Sequence, residues 1–307
     1  MNYKKRAALL IILIAALCGL AIWGVARFRY RGLGKTAEWL ERLPSRDAVV
    51  FYIDFAALRK GGVLQMLTGS KAVAEPEYKL FVTKTGFDYE RDLDAVLACF
   101  TPAGKYFVVK GNFDWSSLES YARDQGGTCR NALCNMNGST PERKISFFPL
   151  RPDLMGLAVS PGDSAASDLE TASVLRRPMD LPDAPVWISI PPALLKSGGE
   201  MPAGARMFAH SLENTEDVSI ALTPLGNRFE ARLSVQGRSA QQAVLLAEQL
   251  ARSTSLLREM IARDKQSSNP RDLSGVLTGG SFQHAGMRVS GSWPLERVFL
   301  EGLLAGS

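Results

Sequence analysis

The chain has 307 residues, 46% of them hydrophobic and 22% charged. That is enough to bury one large core or two smaller ones, and too apolar for a disordered polymer. The net charge of +5 belongs to one end: residues 1–35 hold seven Lys or Arg and no acid, leaving 29 basic against 31 acidic side chains, a net of −2, for the rest. A nucleic-acid-binding face is excluded on that ground.

From Ala7 to Val25 the sequence AALLIILIAALCGLAIWGV carries no charge and is long enough at the helical rise to cross the hydrocarbon of a bilayer. We expect a short basic tail at 1–6, a transmembrane helix at 7–26 and a juxtamembrane segment at 27–43. The rival reading is a cleaved signal peptide, for which Gly24-Val25-Ala26 offers a small-x-small site, but the apolar run exceeds the usual length of such segments. Cys18 follows Leu17, where a lipoprotein signal needs a small residue. Lys4, Lys5 and Arg6 flank one end of the run and Arg27, Arg29 and Arg31 the other, so the charge bias that orients such helices discriminates little. Gly34-Lys35-Thr36 resembles the tail of a phosphate-binding loop. Arg29 stands where its first glycine belongs, and no strand precedes it.

The next 130 residues alternate strand and helix signals. Val49–Ile53 is β-branched and aromatic, as a buried strand should be, and Asp54 is placed to cap the helix that FAALRK begins. A second helix opens near Pro76 and stops at Gly86. Asp88, Glu90, Asp92 and Asp94 then cluster, without the glycine and terminal Glu of a calcium loop, and read as a solvated turn. Strands over Leu93–Phe100 and Tyr106–Val109 follow, then a helix capped by Asp114. Cys129 and Cys134 bracket Arg130-Asn131-Ala132-Leu133: a turn at Asn131-Ala132 makes the cysteines a non-hydrogen-bonded cross-strand pair, close enough for a disulfide. Free thiols and half of a zinc site are the alternatives, and no second pair of ligands completes the latter. A disulfide would place the soluble part on an oxidising side of the membrane. Ile145–Leu150 and Leu154–Ser160 pair next, and a helix is expected over Ser164–Leu175.

After a linker at 176–182 the order returns: a strand over Pro185–Ile190, a helix near Ala203–Leu212, a hairpin of Asp217–Leu222 with Arg228–Val235, and a long helix capped by Ser239. Strand residues at 281–290 and a helix from Pro294 end the chain. LPSRDAVVFYIDFAALRKGG at Leu43–Gly62 has a counterpart in LPDAPVWISIPPALLKSGG at Leu181–Gly199, matching Phe51 with Trp187 and Asp54 with Ile190. Met155–Ser160 likewise resembles Met287–Ser292. The expectation is an α+β fold of two similar units, 44–175 and 183–307, with a mainly antiparallel sheet covered by helices.

Leu43-Pro44, Ala48 and Asp54, then Gly86-Phe87-Asp88 and Asp92-Leu93-Asp94, resemble the opening of uncharacterised bacterial proteins that are exported or held by a single membrane segment. The resemblance implies architecture and location, with no activity to carry over. His210 and His284 have no second ligand at metal spacing, and no nucleophile elbow, zinc-helix or dinucleotide motif is present. The sequence therefore leads to a protein of the inner (cytoplasmic) membrane, its N-terminus cytoplasmic and its soluble domain periplasmic. It would work without a cofactor as a non-enzymatic module for an envelope protein or an apolar ligand. The alternative is an envelope hydrolase assembled from Asp54, His284 and scattered serines.

Overall fold

The computed structural model describes residues 36–64, 76–138, 140, 143–171, 180–195, 203–226, 228–263, 269 and 272–305. The transmembrane segment expected at 7–26 and its flanking Lys4, Lys5, Arg6, Arg27, Arg29 and Arg31 lie outside these residues. Among the described residues no helix is long and apolar enough to cross a membrane.

The chain runs through α1 (residues 36–42), β1 (Val49–Asp54), α2 (Phe55–Lys60), α3 (Pro76–Thr85), α4 (Tyr89–Asp92), β2 (Leu93–Thr101), β3 (Gly104–Gly111) and α5 (Trp115–Asp124). Four strands follow: β4 (Thr128–Arg130), β5 (Leu133–Asn137), β6 (Lys144–Arg151) and β7 (Leu154–Ser160), then a 3-10 helix at Ala165–Leu169. The remainder comprises β8 (Val186–Ile190), α6 (Pro192–Leu195), α7 (Ala203–Leu212), β9 (Asp217–Leu225), β10 (Arg228–Gln236), α8 (Ala240–Arg263), α9 (Leu273–Thr278), β11 (Ser281–Ala285), β12 (Arg288–Leu295) and α10 (Arg297–Ala305).

All described strands join one antiparallel sheet in the order β11-β12-β10-β9-β8-β1-β2-β3-β7-β6-β5-β4. Read outward from the β8–β1 seam, the two sides follow the same plan: a seam strand, a hairpin, then a second hairpin whose later strand lies inside. The β4–β5 hairpin is an addition on one side. At the seam Tyr52 pairs with Trp187, their rings stacked 5.5 Å apart. Burial, with Asp54 nearby as the next cause, pushes the Tyr52 hydroxyl up to about 12.

Helices cover one face of the sheet at both ends. On the β8–β12 side α7, α8 and α9 bury Phe208, Leu246, Leu250 and Val276 against Val218, Leu233 and Val289. On the other side α5 buries Leu118 and Ala122 against Cys134, Phe147 and Met155. The opposite face is covered over β1–β7 and, just beyond the seam, at Trp187 of β8 and Ala221 of β9, which join the same core with Leu181 and Ala184 against it. Over β1–β7, α1 and the 3-10 helix lay Trp39, Leu40, Ala166 and Leu169 on Val50, Leu97, Val108 and Leu154. Arg42 of α1 donates to the carbonyls of Leu169 and Glu170, which closes the end of the 3-10 helix.

Two expected elements differ. The helix expected over Ser164–Leu175 is a 3-10 segment ending at Leu169, with residues 172–179 outside those described. The last helix starts at Arg297, because Pro294 still belongs to β12, opposite Glu230. Strand β11 pairs with β12 only as far as Ser292, so no outer strand requires the N–H that proline lacks.

Candidate functional site

The strands β9, β10 and β12 alternate strictly. Val218, Ile220 and Leu222, then Phe229, Ala231, Leu233 and Val235, then Val289, Gly291, Trp293 and Leu295 point into the helical core, and the residues between them point the other way. With a side-chain period of two, that leaves a mostly polar second face, buried at Ser219 and Ala221 of β9 and open to water over β10 and β12. Segment 180–184 walls one side of it, and together they enclose an open trough of about 500 Å³.

Strand register arranges the trough in rows. Ser219, Ser234, Ser290 and Gln283 stand opposite one another across β9, β10, β12 and β11, and Ser189 of β8 continues the line inward. The neighbouring row is Ala221, Arg232, Ser292 and Ser281, with the hydroxyls of Ser281 and Ser292 2.9 Å apart. Outside these, Thr223 faces Glu230 at one end, and Asp217, Gln236 and Arg288 align at the other. Both guanidinium groups carry an acid: Arg232 pairs with Glu230 on its own strand, and Arg288 with Asp180 of the wall. Ser189 donates to Asp217 across 3.3 Å. Burial is the main cause that lifts the Asp217 carboxyl above the usual range, ahead of this hydrogen bond and the Arg288 charge, which lower it.

The groups singled out in the sequence lie elsewhere. Asp54 accepts the N–H of Ala57 at 2.7 Å, Asp114 that of Ser117 at 3.2 Å and Ser239 that of Gln242 at 3.1 Å, each at the start of a helix. These are the hydrogen bonds of N-caps, satisfying backbone donors that the first turn leaves open. Cys129 and Cys134 are disulfide-bonded opposite each other in the β4–β5 hairpin, at the far edge of the sheet from the trough. In the acidic loop Asp88 accepts from Tyr78 and from the Glu90 N–H. Asp92 accepts from Arg91, whose hydrogen bonds are the main cause holding its carboxyl below the usual range. Asp94 meets Lys110 at 3.5 Å and Arg59 at 4.0 Å. Among the described residues no cluster of three or more His, Cys, Asp or Glu could hold a metal ion.

The members of the alternative hydrolase site are not brought together. His284 shares its side of β11 with Phe282, which packs on the helical core, whereas Ser281 and Gln283 line the trough. His210 is exposed on α7 and contacts Glu213 at 3.0 Å. The trough residues themselves were not singled out by any motif. Their signal is the polar–apolar alternation of DVSIALTPL, RFEARLSVQ and RVSGSWPL, which contrasts with the apolar runs of LDAVLACFT and LMGLAVS.

No known protein family matches the chain, and no curated protein does. Among solved structures it is similar to crystal form III of TP0453, with a TM-score of 0.50 and 13% identity over 87% of this chain and 98% of that one. Crystal form IV of the same protein gives a TM-score of 0.49 at the same identity, over 87% and 96%. At this identity the likeness concerns the path of the chain only.

Proposed function

We propose that this is a non-enzymatic binding module of the bacterial cell envelope. In this reading it is anchored in the inner membrane by residues 7–26, with its N-terminus cytoplasmic and its folded part periplasmic, and the polar trough is its binding site. The observation that carries the reading is the trough itself. It is a wide, open sheet face with hydroxyls, guanidinium groups and carboxylates in register, while the corresponding face of β1–β7 lies under α1 and the 3-10 helix. The lining favours a hydrogen-bonding ligand over an apolar one, because buried hydroxyls left without partners cost about 1–3 kcal/mol each. An envelope protein docked on the same face is the second occupant to consider.

The proposal includes a duplicated α+β unit. Its support is the shared strand order on the two sides of the seam, and the match of Met155–Ser160 with Met287–Ser292. That match keeps faces: Leu157 and Val289 point to the helices, Ala158 and Ser290 away. Matching Phe51 with Trp187 does not, since Trp187 shares its face with Tyr52, and a one-residue slip reverses every side chain. The unit boundary at the seam strands therefore needs an offset one residue different.

The test is a thermal-shift screen of the full chain against polar and apolar compounds, run in parallel on Arg232→Leu. Polar compounds that raise Tm in the wild type and not in the variant are expected. Stabilisation by apolar compounds alone, or equal shifts in both proteins, would remove the trough from consideration. Location is tested by reporter fusions after Ser307: activity of a cytoplasm-only reporter would overturn the periplasmic assignment.

A further inference from the structure

We infer that the trough takes a carbohydrate, a glycan chain lying across the strands; this rests on the trough being the ligand site. The charged groups of the lining nearly cancel, with Arg232 and Arg288 set against Asp180, Asp183 and Glu230. A polyanion would meet three carboxylates and a polycation two guanidinium groups, so neither is attracted as a whole, and a near-neutral ligand fits best. An apolar ligand would strip water from the hydroxyls of Ser234, Ser290 and Ser292 without replacing its hydrogen bonds. What remains is a ligand that gives and accepts hydrogen bonds over an extended length.

The spacing of the lining suits a chain of hydroxyl-bearing rings. The row Ser219–Ser234–Ser290–Gln283 repeats once per strand, at about 4.8 Å, and the next row lies roughly 7 Å along the strands. Hydroxyls both donate and accept, so each can meet a sugar hydroxyl in either role. The two arginines stand four residues apart along the paired strands, since Arg232 is opposite Ser292 and Arg288 begins the same strand, a separation of about 13 Å. Each is paired with one acid, and a planar guanidinium carries five N–H donors, so further donors of each fork can reach ring or amide oxygens at the two ends of a ligand. Glu230 and Asp180 orient the forks and offer acceptors of their own. The trough lacks an aromatic stacking platform among its lining residues, so recognition rests on hydrogen bonds and modest affinity follows.

The full chain, held in a zwitterionic detergent that contains no sugar, is titrated calorimetrically with a β-1,4-linked N-acetylglucosamine tetramer and with peptide-free glycan strands from bacterial cell wall. Saturable binding is expected with at least one of them, weakened at least tenfold in Ser234→Val combined with Ser290→Val. It should be unchanged in Leu245→Gln on the far helix, provided all three proteins keep the same Tm. Binding that survives the double substitution overturns the inference. Mixed-charge decapeptides and phospholipid vesicles form the second arm. If only these bind, and the double substitution abolishes it, the trough stands as a site and the carbohydrate assignment falls. If no probe in either arm binds, the site reading falls with it.

Discussion

One row of side chains crosses ten strands of the sheet on the same face and changes character at the seam. On one side it reads Ser189, Ser219, Ser234, Ser290 and Gln283, and on the other Val50, Cys99, Tyr106, Ala158 and Ser146. Val50, Cys99 and Ala158 are wholly buried, while Gln283 is exposed and Ser290 borders the trough. The difference follows from where the chain goes after each second hairpin. After β7 it folds back over this face as the 3-10 helix, with Ser146 accepting the N–H of Ala166 at 3.0 Å. After β12 it goes to the opposite face, where Phe299 and Leu300 of α10 join the helical core. A sheet face has to be apolar only where something lies on it. Just beyond the seam Ser189 and Ser219 are still buried, at 3% and 4% exposure; the outer part of the polar half, Ser234, Ser290 and Gln283, is under no such packing demand and is available for recognition.

The contrast can be broken most directly by truncating one residue on each side. Leu97→Ala removes a fully buried side chain beneath α1, and a loss of about 3 kcal/mol is expected in denaturant unfolding. Ser234→Ala, on the same face beyond the seam, should stay within about 0.5 kcal/mol. Equal costs would mean that the trough is packed after all. Next in size is the β4–β5 hairpin, present on one side only. Its disulfide closes a short loop, and replacing both cysteines by Ala should cost about 2 kcal/mol by loop-closure entropy, read from the midpoint of urea unfolding. An unchanged midpoint would show that the staple contributes nothing to global stability.

A smaller effect should appear at Asp217, at the start of β9 beside Ser189 and outside the lining of the trough. Burial raises its carboxyl, so the folded chain binds that proton more tightly than the unfolded chain does. Ionisation therefore costs stability as pH rises from the ordinary Asp range, near about 3.9, through the raised value. Asp217→Asn should increase Tm at pH 7, and the gain should disappear below about pH 4. A variant that is less stable at pH 7 would show that the ionised carboxylate is held by Ser189 and Arg288 more firmly than burial opposes it.

Element order was largely legible in the sequence, because alternating and β-branched runs, prolines and capping residues act locally. The short cysteine hairpin was legible in register as well, since a two-residue turn fixes which residues face each other. Pairing of β1 with β8 was not. Their partners lie 133 to 139 positions apart in the chain, and a period of two tells which face a side chain takes but not which strand lies beside it. The same limit explains why Phe51 aligns with Trp187 in sequence while the sheet sets Trp187 opposite Tyr52. The trough escaped motif reading for a different reason: no single residue in it has unusual chemistry, and only the lateral register of four strands brings its hydroxyls into rows.

The two outermost hairpins permit the finest comparison. The one at the trough edge turns through Gly286 and Met287, with glycine in the left-handed region at φ 57°, as a two-residue turn with glycine first requires. The stapled one turns through Asn131 and Ala132, both left-handed at φ 51° and 65°. Asn tolerates that region, but the Ala132 Cβ meets the carbonyl, at a cost of roughly 1 kcal/mol. Ala132→Gly removes this strain and adds backbone freedom to the unfolded chain, which returns about 0.4–1 kcal/mol. A net gain of a few tenths of a kcal/mol is expected. The disulfide sharpens it. With Cys129 and Cys134 bonded the unfolded loop is already restricted, so the added freedom of glycine is curtailed and the gain should be larger than in the cysteine-free background. A double-mutant cycle on urea midpoints measures the difference. If glycine helps more without the disulfide than with it, relief of strain at Ala132 is not what the substitution changes.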